Sequence, residues 1–293
     1  MSHVHDHHAN KKALKISLLL ISLFMIVEVI GGIVTNSLAL LSDAGHMFSD
    51  AASLGLSFLA IHYGSKKPSD NKTFGYKRFE ILAAFINGIA LIVISFIILY
   101  EAYHRFIEPP DVAGHGMLSI AIIGLIVNVI VAYILMKGDT SGNLNVKSAF
   151  LHVLGDLLGS VGAIIAAIFI IVLGWGYADP IASVIVSLLI LISGWRVTKE
   201  AIHVLMEGTP GHIDIEEIKS SLSTFPAIKN VHDLHVWSIT SGYIALSCHI
   251  TIDEETDHQQ LLVQVSDYLK EDFHINHTTI QIEYKDRDCD PCN

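Results

Sequence analysis

The chain has 293 residues, of which 52% are hydrophobic and only 16% charged, and its mean hydropathy is +0.52. About a quarter of the residues of a soluble globular protein are charged, so this composition excludes an ordinary soluble enzyme. A net charge of −11 argues against a nucleic-acid partner, because a phosphate backbone selects a basic face.

In chain order, residues 1–12 form a tail that carries the tract His3-Val4-His5-Asp6-His7-His8. Such tracts bind metal weakly or do nothing measurable. Six apolar segments follow: Leu14–Val34, Ala39–His62, Ile81–Tyr100, Met117–Met136, Ser148–Leu173 and Pro180–Ile202. Each reads as a spanning helix, since a bilayer core of about 30 Å needs about twenty residues at 1.5 Å rise. The first follows Lys11 and Lys12 but is too long for a signal-peptide core, carries Glu28 and lacks a small-residue cleavage site, so it reads as an uncleaved helix. Asp179-Pro180 reads as the capped start of the sixth helix, and Gly208 and Pro210 mark its end. Twelve Lys and Arg residues lie on alternate connections and at the ends, against Arg105 alone on the others. The positive-inside rule then places both termini in the cytoplasm of a multi-pass cell-membrane protein.

Residues 209–293 hold 5 basic and 15 acidic residues, whereas residues 1–208 hold 13 and 14. This asymmetry separates a transmembrane domain, residues 13–208, from an acidic soluble one, residues 209–285, and a tail, residues 286–293. Within the acidic region, Ile213–Thr224 and His258–Phe273 read as helices, and Val231–Ile239, Tyr243–Ile252 and Thr278–Tyr284 as strands. Thr240-Ser241-Gly242 reads as a hairpin turn. The order αββαβ predicts a small α+β domain, an open sheet with helices on one face. Cys248, Cys289 and Cys292 are too few for a disulfide framework and fit a reducing compartment.

Ionisable residues within spans are costly and ask for a reason. The second span contains Asp43, His46 and Asp50, and the fifth His152 and Asp156. Each His–Asp pair is spaced i, i+4 and so shares one helix face. Two such helices face to face present two imidazoles and two carboxylates, a set that suits tetrahedral zinc and, less selectively, cobalt or cadmium. The competing reading is a pair of hydrogen-bonded couples that hold helices together. The same ligands bind protons, so metal and proton displace each other, as an antiporter requires. Asp43 lies three residues before His46 and reads as its partner, a proton relay or a local cap. Glu28 is expected to face other helices.

The motifs His46-Met-Phe-Ser-Asp50 and His152-Val-Leu-Gly-Asp156 resemble the paired HxxxD motifs of the cation diffusion facilitators. The resemblance spans the chain. It includes Ser37-Leu-Ala-Leu-Leu-Ser-Asp-Ala-Gly-His46, Thr73-Phe-Gly-Tyr-Lys-Arg78, Leu205-Met-Glu-Gly-Thr-Pro210 and Val231-His-Asp-Leu-His-Val-Trp237, and is strongest to the bacterial cobalt–zinc–cadmium resistance branch. It implies a homodimer, proton-coupled metal export and a metallochaperone-like cytoplasmic domain. His at position 46 resembles the zinc-preferring members. The chain departs from some bacterial members in having no histidine in Asp70-Asn-Lys-Thr-Phe-Gly-Tyr-Lys77. Lys77 and Arg78 are therefore expected to meet acidic groups or lipid head groups.

The positions of His232, His249 and Glu283 resemble the ligands of the family's cytoplasmic zinc site; the alternative is three polar residues on a solvated sheet face. Strand alternation puts His235 opposite His232, and Cys248 opposite His249 in the core. Cys289-Asp-Pro-Cys292 has the spacing of half a zinc site or belongs to a tail with free thiols. The expected protein is a bilayer-embedded, homodimeric exporter of zinc, and of cadmium or cobalt, that uses no organic cofactor. An intramembrane zinc hydrolase would need an open coordination position and a general base beside it. A sensor would not need two HxxxD pairs, and a passive channel would ignore a proton gradient.

Overall fold

The structure is a computed structural model that describes residues 3–48, 51–52, 68–136, 144–240 and 242–284, with side chains described except at 3–15, 135, 144–155 and 158. It divides into two units, Met1–Phe58 with Ala83–Thr198, and Leu59–Leu82 with Lys199–Asn293.

The first unit is helical. Helix α1 covers His3–Thr35, and after a turn at Asn36, whose φ is 56°, α2 begins at residue 38 and is described to residue 48. Helices α3 (Phe79–Ile107), α4 (Gly114–Met136), α5 (Leu144–Leu173) and α6 (Ala178–Leu205) follow. Among the described residues, four helices are long and apolar enough to cross a membrane: Ile16–Thr35, Phe79–Ile107, Gly114–Ile134 and Ala178–Leu205. The described apolar part of α5 is shorter, Gly159–Leu173, and half of the predicted second span, including residues 53–62, lies outside the described residues.

Lipid-like surroundings remove the hydrophobic drive between helices, so small residues that admit close packing carry the contacts. Ala39, Ala121, Ala163, Ala166, Ala167 and Ala178 accordingly form one buried cluster with Leu40 and Met117, drawn from α2, α4, α5 and α6. Phe24, Met47 and Val131 centre a second, joining α1, α2 and α4. The large apolar residues of the outer faces, such as Ile33, Ile86, Ile97 and Leu189, remain exposed. Helices α3 and α6 approach at Gly88 and Gly194: a Cβ on Gly88 would lie 2.9 Å from Thr198 N, and one on Gly194 3.1 Å from Gly88 O.

The second unit contains α7 (Ile215–Leu222), β1 (Ile228–Thr240), β2 (Tyr243–Ile252), α8 (His258–Asp272) and β3 (His277–Glu283). The Asp214 carboxylate accepts from Glu216 N at 2.9 Å and Glu217 N at 3.4 Å, so α7 starts two residues later than its sequence pattern predicts. Asp257 caps α8 in the same manner, 3.1 Å from Gln260 N. Strand β2 is central, antiparallel to β1 and parallel to β3, with α8 as the crossover. One sheet face carries Leu246, Cys248, Ile250 and Ile252 onto Ile218 and Leu222 of α7 and Leu261, Val265 and Leu269 of α8. The opposite face holds His249 and Thr251.

The connection before α3 belongs to this unit. Arg78 Nη2 lies 3.0 Å from Glu207 Oε1, the acidic partner expected of it. Lys77 instead places Nζ 3.2 Å from the centre of the Tyr243 ring, a cation–π contact.

Candidate metal sites

In the helical unit, α2 is placed by a carboxylate from elsewhere. A helix start leaves unsatisfied N–H groups. Leu38 N and Ala39 N donate to Asp179 Oδ2 and Oδ1 at 2.8 and 3.2 Å, and Ser37 Oγ donates to Asp179 Oδ1 at 2.6 Å. Asp179 therefore caps α2, not the start of its own helix as the Asp-Pro pattern predicts. Arg105 of α3 closes the network, donating to Asp179 Oδ2 at 3.4 Å and to Asn36 O at 2.6 Å.

Two turns along α2, His46 Nε2 lies 3.7 Å from Asp156 Oδ1 of α5. One member of each sequence pair is thus brought together. Asp50 lies outside the described residues, and His152 falls on α5 where side chains are not described. Asp156 is 2% exposed and Asp43 3%. A Cβ at Gly159 would lie 2.9 Å from Asp43 Oδ1, so glycine there leaves room for the carboxyl. Glu28 of α1 is 1% exposed and hydrogen-bonds to Asp43. Beside them Asn128 Nδ2 donates to Ser160 Oγ at 3.3 Å, both residues being buried. Three carboxyl groups out of water demand compensating positive charge, from a metal ion or from protons.

In the C-terminal unit, the register sets His232 opposite His249, and His249 opposite Gln281. Glu283 lies two residues beyond Gln281, on the same face. Ligand atoms of His232, His249 and Glu283 all fall within 4.8 Å of one another. His232 Nε2 is 3.4 Å from Glu283 Oε2, and His249 Nδ1 is 3.5 Å from Glu283 Oε1. Both ring nitrogens of His232 are buried without a hydrogen bond, and Gln281 Nε2 holds Glu283 Oε1 at 2.6 Å. Two imidazoles, a carboxylate and orphaned nitrogens facing inward fit a zinc ion with one further coordination position.

Of three places where the β1 register shifts against β2, one lies at the site. Between His232 and His235 the register slips, His235 pairing with Ser247 while His232 pairs with His249, and Asp233 takes a φ of 49°. The extra residue turns His235 to the face that His232 occupies, which corrects the expectation that it points away. The bulge also brings Asp233 to the site's edge: Oδ1 is 2.8 Å from His235 Nε2, and Oδ2 is 3.6 Å from His249 Nε2. The hydrogen bond from His235 holds the Asp233 carboxyl below its ordinary range, aided by the nearby imidazoles. Gln281 thus holds Glu283 from outside the three residues, and Asp233 flanks His249; strand periodicity gives no sign of the bulge that brings Asp233 there. Cys248 faces the core as expected, and burial pushes its thiol up to about 12. The N-terminal histidine side chains, Cys289 and Cys292 lie outside the described residues.

Residues 14–206 match the cation efflux transmembrane domain, and residues 210–285 the cation efflux protein cytoplasmic domain. The chain is 56% identical over 287 residues to a cadmium, cobalt and zinc/H(+)-K(+) antiporter of Bacillus subtilis, covering 97% of this chain and 92% of that one. It is 45% identical to the zinc transporter ZitB of Yersinia pestis, covering 97% and 91%. It is 43% identical to the metal cation efflux system protein CzcD of Cupriavidus metallidurans, covering 96% and 89%. These relatives are transporters, not enzymes.

Proposed function

The chain belongs to the cation efflux family, and we propose that it exports zinc, and cadmium or cobalt, from the cytoplasm in exchange for protons. In this reading six helices span the cell membrane and both termini are cytoplasmic. His46 and Asp50 of the second helix and His152 and Asp156 of the fifth form the transport site.

The observation that carries the reading is the approach of His46 Nε2 to Asp156 Oδ1, 3.7 Å apart on two different helices. An ion entering from the cytoplasm binds the two imidazoles and two carboxylates and displaces their protons. Helices two and five then tilt relative to the rest and expose the site outward, where protons displace the metal. The membrane potential contributes about 2.3 kcal/mol per net charge moved per 100 mV, so the proton stoichiometry decides how much it drives.

We assign a second metal to the αββαβ cytoplasmic domain of a homodimer, with His232, His249 and Glu283 as its ligands. When bound, the ion supplies a fixed dication that ties three strands together and draws in carboxylates of the paired domain. Gln281 keeps Glu283 aimed, Asp233 flanks His249, and both ring nitrogens of His232 are buried without a hydrogen bond. Compaction of the detergent-solubilised dimer on zinc addition, followed by small-angle scattering, should be lost in His232→Ala and His249→Ala. Equal compaction of those variants sinks this assignment.

The transport reading is tested by zinc uptake into inside-out vesicles with and without an acidic interior, comparing the intact protein with Asp50→Ala and Asp156→Ala. Gradient-driven uptake by the intact protein and none by the variants is the expected result. Uptake that survives both substitutions moves the site elsewhere, and no uptake by any form favours a sensor.

A further inference from the structure

We infer that Asp179 is a positioning residue that makes the start of α2 a hinge, fixed to α3 and α6, about which the length of α2 bearing His46 tilts. The inference rests on the transport reading and adds to it the point of rotation.

The first observation is the ownership of the cap. Ser37 Oγ lies 3.3 Å from Leu40 N, serving one N–H locally. The N–H groups of Leu38 and Ala39 are served by a carboxylate far along the chain, on α6. A backbone N–H without a partner costs several kcal/mol at membrane depth, so this end of α2 cannot part from α6 cheaply. Asp179 is 0% exposed, and its negative charge meets the positive end of the α2 dipole and Arg105 of α3 at once. Leu38 also shares a buried apolar cluster with Ile98 and Ala102 of α3, against which Val184 of α6 packs.

The second observation is that α3 and α6 form one frame. They approach closely at Gly88 and Gly194, where an added Cβ would lie 2.9 Å from Thr198 N or 3.1 Å from Gly88 O. Toward His46 the contact of α2 changes character. Its polar neighbour Asp156 sits on α5 at 3.7 Å, too far for a short hydrogen bond. The start of α2 is therefore held to α3 and α6 by short directional bonds, whereas farther along its polar groups turn to α1 and α5, Asp43 to Glu28 and His46 to Asp156.

The geometry gives the size of the effect. His46 lies eight residues beyond Leu38, which is about 12 Å along the helix. A tilt of about 15° about a fixed first turn moves it by about 3 Å, more than a zinc–nitrogen bond of about 2 Å tolerates. A small rotation at Asp179 is enough to dismantle the site while the cap stays intact.

The test uses the full chain with its three cysteines replaced, in the same vesicle assay. Leu38→Cys with Ala102→Cys bridges the hinge, and Gly45→Cys with Ile94→Cys bridges α2 to α3 nearer His46, where a Cβ on Gly45 would lie 3.2 Å from Ile94 Cγ2. A short methanethiosulfonate cross-linker should leave zinc uptake of the first pair unchanged and stop that of the second, with reductant restoring it. Asp179→Asn should lower the maximal uptake rate by about tenfold, the scale of a lost buried charged cap, at unchanged half-saturating zinc. Asp179→Glu should recover part of the rate. Arrest of uptake by the 38–102 bridge overturns the hinge, as does an Asp179→Asn variant that transports at full rate. If Asp179→Asn does not fold, the bridged pairs decide with Asp179 in place. If the uncross-linked protein moves no zinc, the transport reading falls and the hinge with it.

Discussion

Glu283 accepts from Gln281 Nε2 at 2.6 Å while facing both His232 and His249. Residues that orient a ligand from behind are worth about 10–100-fold in metal affinity. Gln281→Ala should therefore weaken zinc binding at the triad by about that factor in a calorimetric titration, with the fold unchanged. Cys248 gives a pH signature of a different kind. Its thiol is raised to about 12 by burial, so above the ordinary thiol range the unfolded chain has lost a proton that the folded chain keeps. The folded state then binds more protons, and stability falls as pH rises from about 9 toward 12, by at most about 1.4 kcal/mol per unit. Cys248→Ala should flatten that alkaline limb in denaturant titrations. An unchanged slope would mean the thiol is not protected by burial.

Among the elements, the caps and the close helix crossing make separate predictions. Asp214 serves two N–H groups of α7, and losing such a cap costs about 1 kcal/mol. Asp214→Ala should accelerate hydrogen exchange of the α7 amides by about fivefold, leaving α8 as it was. At the α3–α6 crossing a Cβ on Gly88 would meet Thr198 Oγ1 and lie 2.9 Å from Thr198 N. The hydroxyl is held by its bond to Gly194 O at 2.7 Å, and the backbone cannot move aside. Gly88→Leu should lower stability by about 1–3 kcal/mol, the cost of overpacking, seen as a reduced melting temperature in detergent. The β1 bulge has no such sequence mark. Asp233 at φ 49° occupies a left-handed conformation that Asp adopts more readily than most residues, yet nothing in Val231–Trp237 distinguishes it from a plain strand.

For the whole molecule, the charge asymmetry and the buried carboxyls act together. An acidic C-terminal region raises the local concentration of cations, and a cluster of Glu28, Asp43 and Asp156 out of water cannot stay uncompensated. On the proposed reading metal and protons compete for that compensation, so zinc affinity of the proposed membrane site should fall as pH is lowered, by about tenfold per unit for each proton displaced. A pH-independent affinity in equilibrium zinc binding would break the link between binding and proton exchange.

What could be read directly from the residues were features set within a few positions of one another. The apolar lengths, the i, i+4 His–Asp pairs, the bounds of Tyr243–Ile252 and the inward face of Cys248 all follow from helix and strand periods. The resemblance in those same motifs pointed to the family and to the ligand positions 232, 249 and 283. Tertiary structure decided what depends on segments far apart in the chain. It put Asp179 on the start of α2 and not on its own helix, hydrogen-bonded Glu28 to Asp43, and gave Arg78 the carboxylate of Glu207. It also turned His235 to the face of His232 through one inserted residue. The physical reason is common to all four. Periodicity states which face a side chain takes along its own element, whereas a carboxylate or a bulge is fixed by the partner it meets. That partner is known only once the helices and strands have packed.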